Sequence, residues 1–208
     1  MSNRKIPNPG LARAPGPTYQ EAIQADASAP PASFLEYSYE FVGDQDIPYS
    51  SYTSVDFATA EFDKMWPKVW QMACREEHIP ESGDYQVYDI GQLSAIVTRT
   101  EAGEIKAFFN ACMHRGTGLK PPGSSGACNE FRCPFHGWRY SLEGELTEVP
   151  EAWDFPHVDS DSHRLRELKV DTWAGFVFIN FDQNAGPLKQ YLGVLPAHLD
   201  EFGIENRY

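Results

Sequence analysis

The chain shows little hydrophobic periodicity at first and acquires a helical pattern only after Ser54. Beyond that residue, apolar side chains recur with the i, i+3, i+4, i+7 spacing of one helix face. These side chains are Phe62, Met65, Trp66 and Val69. Asp56 and Glu61 place negative charge early in the segment, where it suits the positive N-terminal end of a helix. We therefore predict a helix after Ser54 that ends or kinks at Pro67.

From about residue 69 onward, the pattern changes to short apolar stretches that are separated by turns. Closely spaced stretches of this kind are typical of antiparallel sandwiches and barrels. The predicted strands are residues 85–90, 93–98, 105–110, 129–132, 138–141, 168–173 and 175–180. Glu143 and Gly144 have the composition of a hairpin turn. Residues 188–202 are predicted to form a short C-terminal helix, so the expected fold is mainly β, with one helix before the strands and one after them.

Residues 1–33 contain six prolines and no periodic pattern. A segment of this composition buries too little apolar surface to fold against a core. We expect residues 1–53 to form a flexible N-terminal arm and residues 54–208 to form one domain with flanking helices.

The charge balance narrows the range of partners. With 17 Lys and Arg against 30 Asp and Glu, the net charge is −13, so we expect no nucleic-acid partner. The longest apolar run, residues 174–181, is much shorter than the roughly 18 residues that a membrane span requires. Arg4 and Lys5 are followed by prolines instead of the apolar stretch of a signal peptide. We therefore expect a cytoplasmic protein without a membrane segment.

Two Cys–His pairs carry the candidate chemistry. Cys112 and His114 are separated by one residue, and Cys133 and His136 by two, with 18 residues between the pairs. Each pair lies next to a glycine, which lets the backbone approach a bulky group closely. Two such loops side by side would present two thiolates and two imidazoles to one place.

The spacing of the four residues bears on which metal they bind. Paired zinc ligands are usually separated by two to four residues, so Cys112 and His114 are close for chelating one ion. The spacing is more natural if the two ligands of each loop bind different metals. A [2Fe–2S] cluster with two cysteines on one iron and two histidines on the other meets that condition. We predict that Cys112 and Cys133 bind one iron and that His114 and His136 bind the other.

At this point the sequence resembles a known family. Its segments CMHRG at 112–116 and CPFHGW at 133–138 are similar to those of Rieske-type aromatic ring-hydroxylating oxygenase α subunits. The resemblance covers roughly residues 55–200, including EEHIPESGDY at 76–85 and GFVFINF at 175–181. It implies a Rieske fold of stacked antiparallel sheets that holds the cluster at the tips of two loops. The histidines would then face solvent or the electron partner, and the cysteines would lie on the inner side.

The resemblance also implies a function. The chain would be the electron-transfer part of an oxidoreductase, a ring-hydroxylating dioxygenase of aromatic hydrocarbon catabolism. Its cluster would pass electrons to a mononuclear Fe(II) for O₂-dependent hydroxylation. In the family that iron is bound by two histidines and a carboxylate in a C-terminal domain, whereas His198 here stands near Asp200 and Glu201 without a second histidine. We therefore expect that domain, and any catalytic residue, to be absent from these 208 residues. The implied partners are a ferredoxin or reductase as electron donor, an α-subunit trimer and a β subunit.

Two other functions are compatible with the ligand pattern. The first is a stand-alone Rieske ferredoxin that carries electrons between other enzymes. The helical segment after Ser54 argues against it, because a small carrier has no need of about 70 residues before its first strand. The second is a zinc-stabilised binding module without a redox role, which would be colourless instead of red-brown.

The residues around the two motifs lead to further expectations. Residues 105–140 carry five basic side chains and one acidic one, which predicts a basic rim that attracts an acidic electron donor. The basic residues are Lys106, Arg115, Lys120, Arg132 and Arg139, and the acidic one is Glu130. Aromatic side chains are expected to form the core beneath the cluster: Phe131, Phe135, Trp138 and Tyr140. Cys74 and Cys128 have no assigned role and are expected to pack as small apolar side chains.

Overall fold

Short antiparallel strands form the framework of the structure, a computed structural model that describes residues 16–17, 19–29 and 45–207. In this part of the chain there are ten strands. They are β1 Gln71–Arg75, β2 Asp84–Ile90, β3 Leu93–Arg99, β4 Ile105–Phe109, β5 Ser125–Ala127, β6 Phe131–Arg132, β7 Arg139–Tyr140, β8 Leu146–Glu148, β9 Lys169–Trp173 and β10 Phe176–Asn180. The mainly β architecture agrees with the fold class that the sequence predicts.

The strands form three antiparallel sheets. The largest has the order β4-β3-β2-β5, and the second has the order β1-β10-β9. Apolar side chains of these two sheets share one core cluster, which includes Val97 of β3 and Ile179 of β10. The third sheet, β6-β7-β8, is small and carries one of the two candidate ligand loops between its first two strands.

A tight hairpin joins β7 to β8 at the turn that the sequence predicts. The Gly144 N–H donates to the Ser141 carbonyl at 3.0 Å, and Ser141 N–H donates to the Glu145 carbonyl at 2.9 Å. Gly144 has φ +80, and a Cβ atom there would lie 2.5 Å from Cε1 of the buried Phe108 ring. Glycine is therefore required at this turn both for its backbone angle and for the space that Phe108 fills.

Three helices of the described part of the chain precede the sheets, α1 Tyr19–Gln24, α2 Ser50–Thr53 and α3 Val55–Lys64. The Ser54 hydroxyl accepts a hydrogen bond from Phe57 N–H and caps α3, so the helix begins directly after Ser54, as the sequence predicts. The helix ends at Lys64 and a 3-10 turn follows at Trp66–Lys68, as Pro67 requires. The predicted N-terminal arm at 1–53 contains α1 and α2, but most of it lies outside the described residues, so its flexibility stays a prediction.

The C-terminal segment differs from the prediction of one helix over 188–202. Two short helices occur instead, α4 Leu188–Leu192 and α5 Leu195–Leu199, followed by a 3-10 turn at Asp200–Phe202. Gly193 between them has φ 58, outside the helical range. Pro196 sits in the first turn of α5, where its missing N–H costs nothing. Glycine and proline together therefore break the segment. No helix among the described residues is long and apolar enough to cross a membrane.

Candidate metal centre

The first ligand loop follows β4 and is closed by backbone hydrogen bonds. Cys112 N–H donates to the Thr117 carbonyl at 2.8 Å, and Gly116 N–H donates to the Cys112 carbonyl at 2.8 Å. Gly116 has φ +74, which is the left-handed conformation that glycine adopts without strain. The loop therefore turns back on itself within six residues and leaves the side chains of Cys112 and His114 at its tip.

The second ligand loop, between β6 and β7, repeats the same backbone pattern. Cys133 N–H donates to the Trp138 carbonyl at 2.8 Å, and Gly137 N–H donates to the Cys133 carbonyl at 3.1 Å. Gly137 also has a positive φ, +78. In both loops the cysteine thus begins a turn that closes five residues later, with glycine at the fourth position after it. His136 lies one position later in its loop than His114 does in the first.

Asn110 holds the two ends of the first loop together. Its Oδ1 accepts hydrogen bonds from Leu119 N–H and Lys120 N–H, while its Nδ2 donates to the Lys120 carbonyl and to Ser94 Oγ. The side chain is buried, so its amide oxygen and nitrogen depend on these partners for their hydrogen bonds. The sequence analysis did not single out Asn110, because nothing in its local pattern distinguishes it from an ordinary strand-end asparagine.

The loops bring the four predicted ligands together as an inner pair and an outer pair. Cys112 and Cys133 are each 3% exposed and belong to one core cluster. Their thiols are neighbours: burial raises the pKa of Cys112, and the adjacent Cys133 raises it further. The imidazole rings of His114 and His136 lie with centroids 4.8 Å apart, His114 half-buried and His136 exposed.

The chemistry of this donor set fits a two-iron cluster. A bound cation favours the thiolate form of a cysteine, and thiolates with neutral imidazoles are the ligands of a Rieske-type cluster. Burial lowers the pKa of His114, and the nearby His136 and Arg115 lower it further. This keeps the imidazole in the neutral form that binds metals. Within residues 16–17, 19–29 and 45–207, no three His, Cys, Asp or Glu side chains are arranged around a single ion.

Tyr140 connects the inner pair to the backbone of the first loop. Its buried hydroxyl lies 3.3 Å from Cys112 Sγ and accepts a hydrogen bond of 3.0 Å from Met113 N–H. Because Met113 is the donor in that bond, the tyrosine O–H proton is free to donate to the sulfur. Burial and the hydrogen bond to Cys112 raise the pKa of Tyr140, so the phenol keeps this proton at neutral pH.

Aromatic rings surround the outer pair unequally. The predicted aromatic core beneath the cluster is confirmed for Phe131, Trp138 and Tyr140, which are all buried. The prediction is wrong for Phe135, which is 60% exposed and covers His136 at a centroid distance of 3.8 Å. Its position at the loop tip explains this, because the loop carries its central residues away from the sheet. Phe155, which the sequence analysis did not select, packs edge-on against His114.

Several of the five predicted basic side chains are paired with other side chains, so the basic rim is smaller than the sequence predicts. Arg139 lies between Glu130, at 3.5 Å, and Glu148, at 3.2 Å, so its charge is compensated. Lys106 pairs with Glu167 at 3.8 Å, and the Lys120 ammonium lies over the ring of Tyr85. The remaining cations of the predicted set are exposed, Arg115 on the first ligand loop and Arg132 at the end of β6, where the second loop begins. The sequence count missed this because the acidic partners Glu148 and Glu167 lie outside residues 105–140.

Cys74, Cys128 and His163 lie outside the predicted ligand set. Cys74 is 6% exposed in β1, as predicted, and burial and nearby Glu76 raise its pKa to about 12. Cys128 is half-buried and packs against the core beneath the ligand loops. The Nδ1 atom of His163 is 2.8 Å from Ser162 Oγ, and its ring contacts Trp138.

The sequence matches the Rieske [2Fe-2S] domain family over residues 69–159, which include both ligand loops. Residues 69–159 form a Rieske [2Fe–2S] domain. The Rieske domain has relatives among oxygenase subunits, and the resemblance that the sequence motifs indicate is thereby confirmed.

Two curated relatives and one solved structure illustrate the classes of oxygenase that the chain is similar to. The anthranilate 1,2-dioxygenase large subunit of Acinetobacter baylyi is 34% identical over 72% of this chain and 32% of its own length. The chloroplastic choline monooxygenase of Beta vulgaris is 33% identical over 66% of this chain and 30% of its own. The structure of naphthalene 1,2-dioxygenase from Rhodococcus sp. superposes with a TM-score of 0.65 and 35% identity, over 70% of this chain and 33% of that one.

These comparisons bear on the two alternative functions, a stand-alone Rieske ferredoxin and a zinc-stabilised binding module. The chain spans about a third of the length of the curated relatives that it matches. Those relatives are dioxygenases and monooxygenases, so neither a stand-alone ferredoxin nor a zinc module is favoured. The names "large subunit" and "subunit alpha" belong to enzymes of more than one subunit.

Proposed function

We propose that Cys112 and Cys133 bind one iron, and His114 and His136 the other iron, of the Rieske [2Fe–2S] cluster. The observation that carries this assignment is the arrangement of the two loops. They share one backbone hydrogen-bond pattern and place two buried thiols together beneath two imidazoles. A cluster held in this way accepts and releases one electron.

The surroundings of the four ligands indicate the side of the site on which electrons enter or leave. The cysteines anchor it to the core, where the Tyr140 hydroxyl and the backbone N–H of His114 stabilise negative charge on the Cys112 sulfur. His136 lies at the exposed tip, beside an open cleft of about 530 Å³ that is also lined by Arg132, Phe135 and Pro150. We infer that electrons enter or leave on the histidine side, because that side alone reaches the protein surface.

Metal analysis of a ligand variant tests the assignment. Cys133→Ser should lose iron and acid-labile sulfide together, because a hydroxyl is a poor substitute for thiolate on iron. Cys128→Ser is the matched control, since Cys128 is a half-buried cysteine outside the ligand set, and it should retain both. Far-UV circular dichroism checks that both variants fold. Purified wild-type protein that contains zinc and neither iron nor sulfide would refute the proposal.

For the whole enzyme, we propose an α subunit of a ring-hydroxylating oxygenase. It would receive electrons from a ferredoxin or reductase and pass them to a mononuclear iron for O₂-dependent hydroxylation of an aromatic substrate. Relatives named for anthranilate and benzene support an aromatic substrate. The resemblance of the segments at 112–116 and 133–138 to ring-hydroxylating oxygenases supports the same class. An α trimer, a β subunit and a cytoplasmic location complete the proposal and rest on the sequence resemblance and composition.

Product analysis separates the substrate classes. Cells that express the complete α subunit with a matched β subunit and electron donors should convert an aromatic acid or hydrocarbon into a hydroxylated product. Choline serves as the contrasting substrate, because a choline monooxygenase matches this chain almost as well. Turnover of choline without turnover of aromatic compounds would contradict the aromatic assignment and leave the Rieske site assignment intact.

A further inference from the structure

The imidazole of His114 is held by two aromatic side chains from other parts of the chain. The indole of Trp138 lies parallel to it, with ring centroids 4.8 Å apart and an interplanar angle of 7°. Phe155 meets the same imidazole edge-on at 5.5 Å and 83°. Phe155 also meets Trp138 edge-on at 5.9 Å, so the three rings contact one another. The ring plane of His114 is therefore defined by neighbours on two sides.

His136 is held differently. Its ring is covered by Phe135, which is itself largely exposed, and it meets His114 edge-on. Trp138, by contrast, is 2% exposed and packs in the core cluster that contains Cys112 and Cys133. The two histidines thus differ in support: one stacks on a buried side chain, and the other lies under a side chain at the surface.

We propose that Trp138, assisted by Phe155, is a positioning residue that fixes the ring plane of His114 and thereby the direction of its metal-binding nitrogen. This inference rests on the proposed function of His114 as a ligand. Trp138 belongs to the second ligand loop and His114 to the first, so the indole couples the geometry of one loop to the ligand of the other. Stacked aromatic pairs are more stable than the area that they bury accounts for, so the stack favours one orientation of the imidazole.

The stack also has an electrostatic consequence. The face of an indole ring carries negative charge density and attracts positive charge placed over it. An imidazole bound to iron carries more positive charge when that iron is ferric than when it is ferrous. The indole therefore stabilises the oxidised state more than the reduced state, and its loss should raise the midpoint potential.

The side chain of Trp138 can be changed without removing the turn of its loop. The hydrogen bond that closes this loop joins Cys133 N–H to the backbone carbonyl of residue 138, which any residue retains. Trp138→Phe keeps an aromatic ring at the position, whereas Trp138→Leu keeps only apolar volume. Phe155→Leu removes the second aromatic ring that contacts the His114 imidazole. Phe108→Leu is the matched control, because Phe108 is a fully buried aromatic residue of the same core cluster.

The experiment compares the reduced holoproteins by EPR and measures their midpoint potentials at one pH. Trp138→Leu should shift the g values, broaden the lines and raise the midpoint, and Trp138→Phe should restore much of the wild-type spectrum. Phe155→Leu should broaden the lines in the same way. Phe108→Leu should lower the thermal stability and leave both the g values and the midpoint at their wild-type values.

Four outcomes bear on the proposal. Wild-type g values, linewidths and midpoint in Trp138→Leu would overturn the positioning role, and so would equal shifts in Phe108→Leu. If Trp138→Leu fails to fold, wild-type linewidths in Phe155→Leu overturn it instead, because that variant removes one of the two rings that hold the His114 imidazole. Absence of a [2Fe–2S] signal from the wild-type protein would instead refute the proposed function, so the two failures are distinguishable.

Discussion

Replacing Tyr140 with phenylalanine tests how the protein stabilises charge on the cluster sulfur. The substitution removes one oxygen atom and leaves the buried ring in place. That oxygen accepts a hydrogen bond from Met113 N–H at 3.0 Å and lies 3.3 Å from Cys112 Sγ. Reduction adds a negative charge to the cluster and its thiolate ligands, so the O–H donor stabilises the reduced state more than the oxidised state. Its removal should therefore lower the midpoint potential.

The magnitude follows from the cost of the lost bond. A hydrogen bond to a charged group contributes about 1.5–3 kcal/mol. The sulfur accepts in both oxidation states, so we take about half of that value, about 1 kcal/mol, as the difference between them. For a one-electron couple, where about 59 mV corresponds to a factor of ten or 1.4 kcal/mol, this equals about 40 mV. The unpaired Met113 N–H should in addition cost about 1–3 kcal/mol of folding stability.

The assay is a redox titration of the holoprotein, followed by EPR or visible absorbance, together with thermal unfolding. Tyr88→Phe is the matched control, because its hydroxyl donates to Gln71 Oε1 at 2.9 Å and touches neither ligand loop. The control should lose some stability and keep the wild-type midpoint. An unchanged or raised midpoint in Tyr140→Phe, despite reduced stability, would show that this hydroxyl does not donate to the ligand sulfur.

Three further outcomes are expected. Iodoacetamide at pH 8 should label Cys128 and spare Cys74 in the native protein, because burial and a pKa of about 12 leave almost no thiolate at Cys74; labelling of both at equal rates, read by peptide mass spectrometry, would contradict this. Gly144→Ala should lower the free energy of unfolding by about 1–3 kcal/mol more than Gly123→Ala, since both glycines have positive φ but only Gly144 abuts Phe108; equal denaturant midpoints would exclude the steric cause. The 208-residue polypeptide, supplied with reductant, ferrous iron and an aromatic substrate, should form no hydroxylated product, because no second metal site is evident among its described residues; enzyme-dependent product would reveal a missed site.

Local sequence was sufficient for those features in which the decisive residues are neighbours along the chain. Ser54 caps α3 through a residue three positions away, and Gly144 makes its turn within the segment that the sequence indicates. The mainly β architecture followed from apolar stretches between turns. Three strands are missing from the predicted set. β1 has a bulge between Met72 and Cys74 that interrupts its alternation, β5 is short and exposed on every residue, and β8 has three residues, two of them exposed.

The candidate ligands were also within reach of the sequence, because each Cys–His pair lies in one short loop and its spacing is itself the signal. What surrounds them was decided by the tertiary structure. Arg139 forms ion pairs with Glu130 and Glu148, which compensate its charge. Asn110 holds the two ends of the first ligand loop together by hydrogen bonds. Trp138 reaches His114 across two loops. No periodicity records such contacts, because ion pairs and ring stacks depend on which surfaces the folded sheets bring together, not on the distance between residues along the chain.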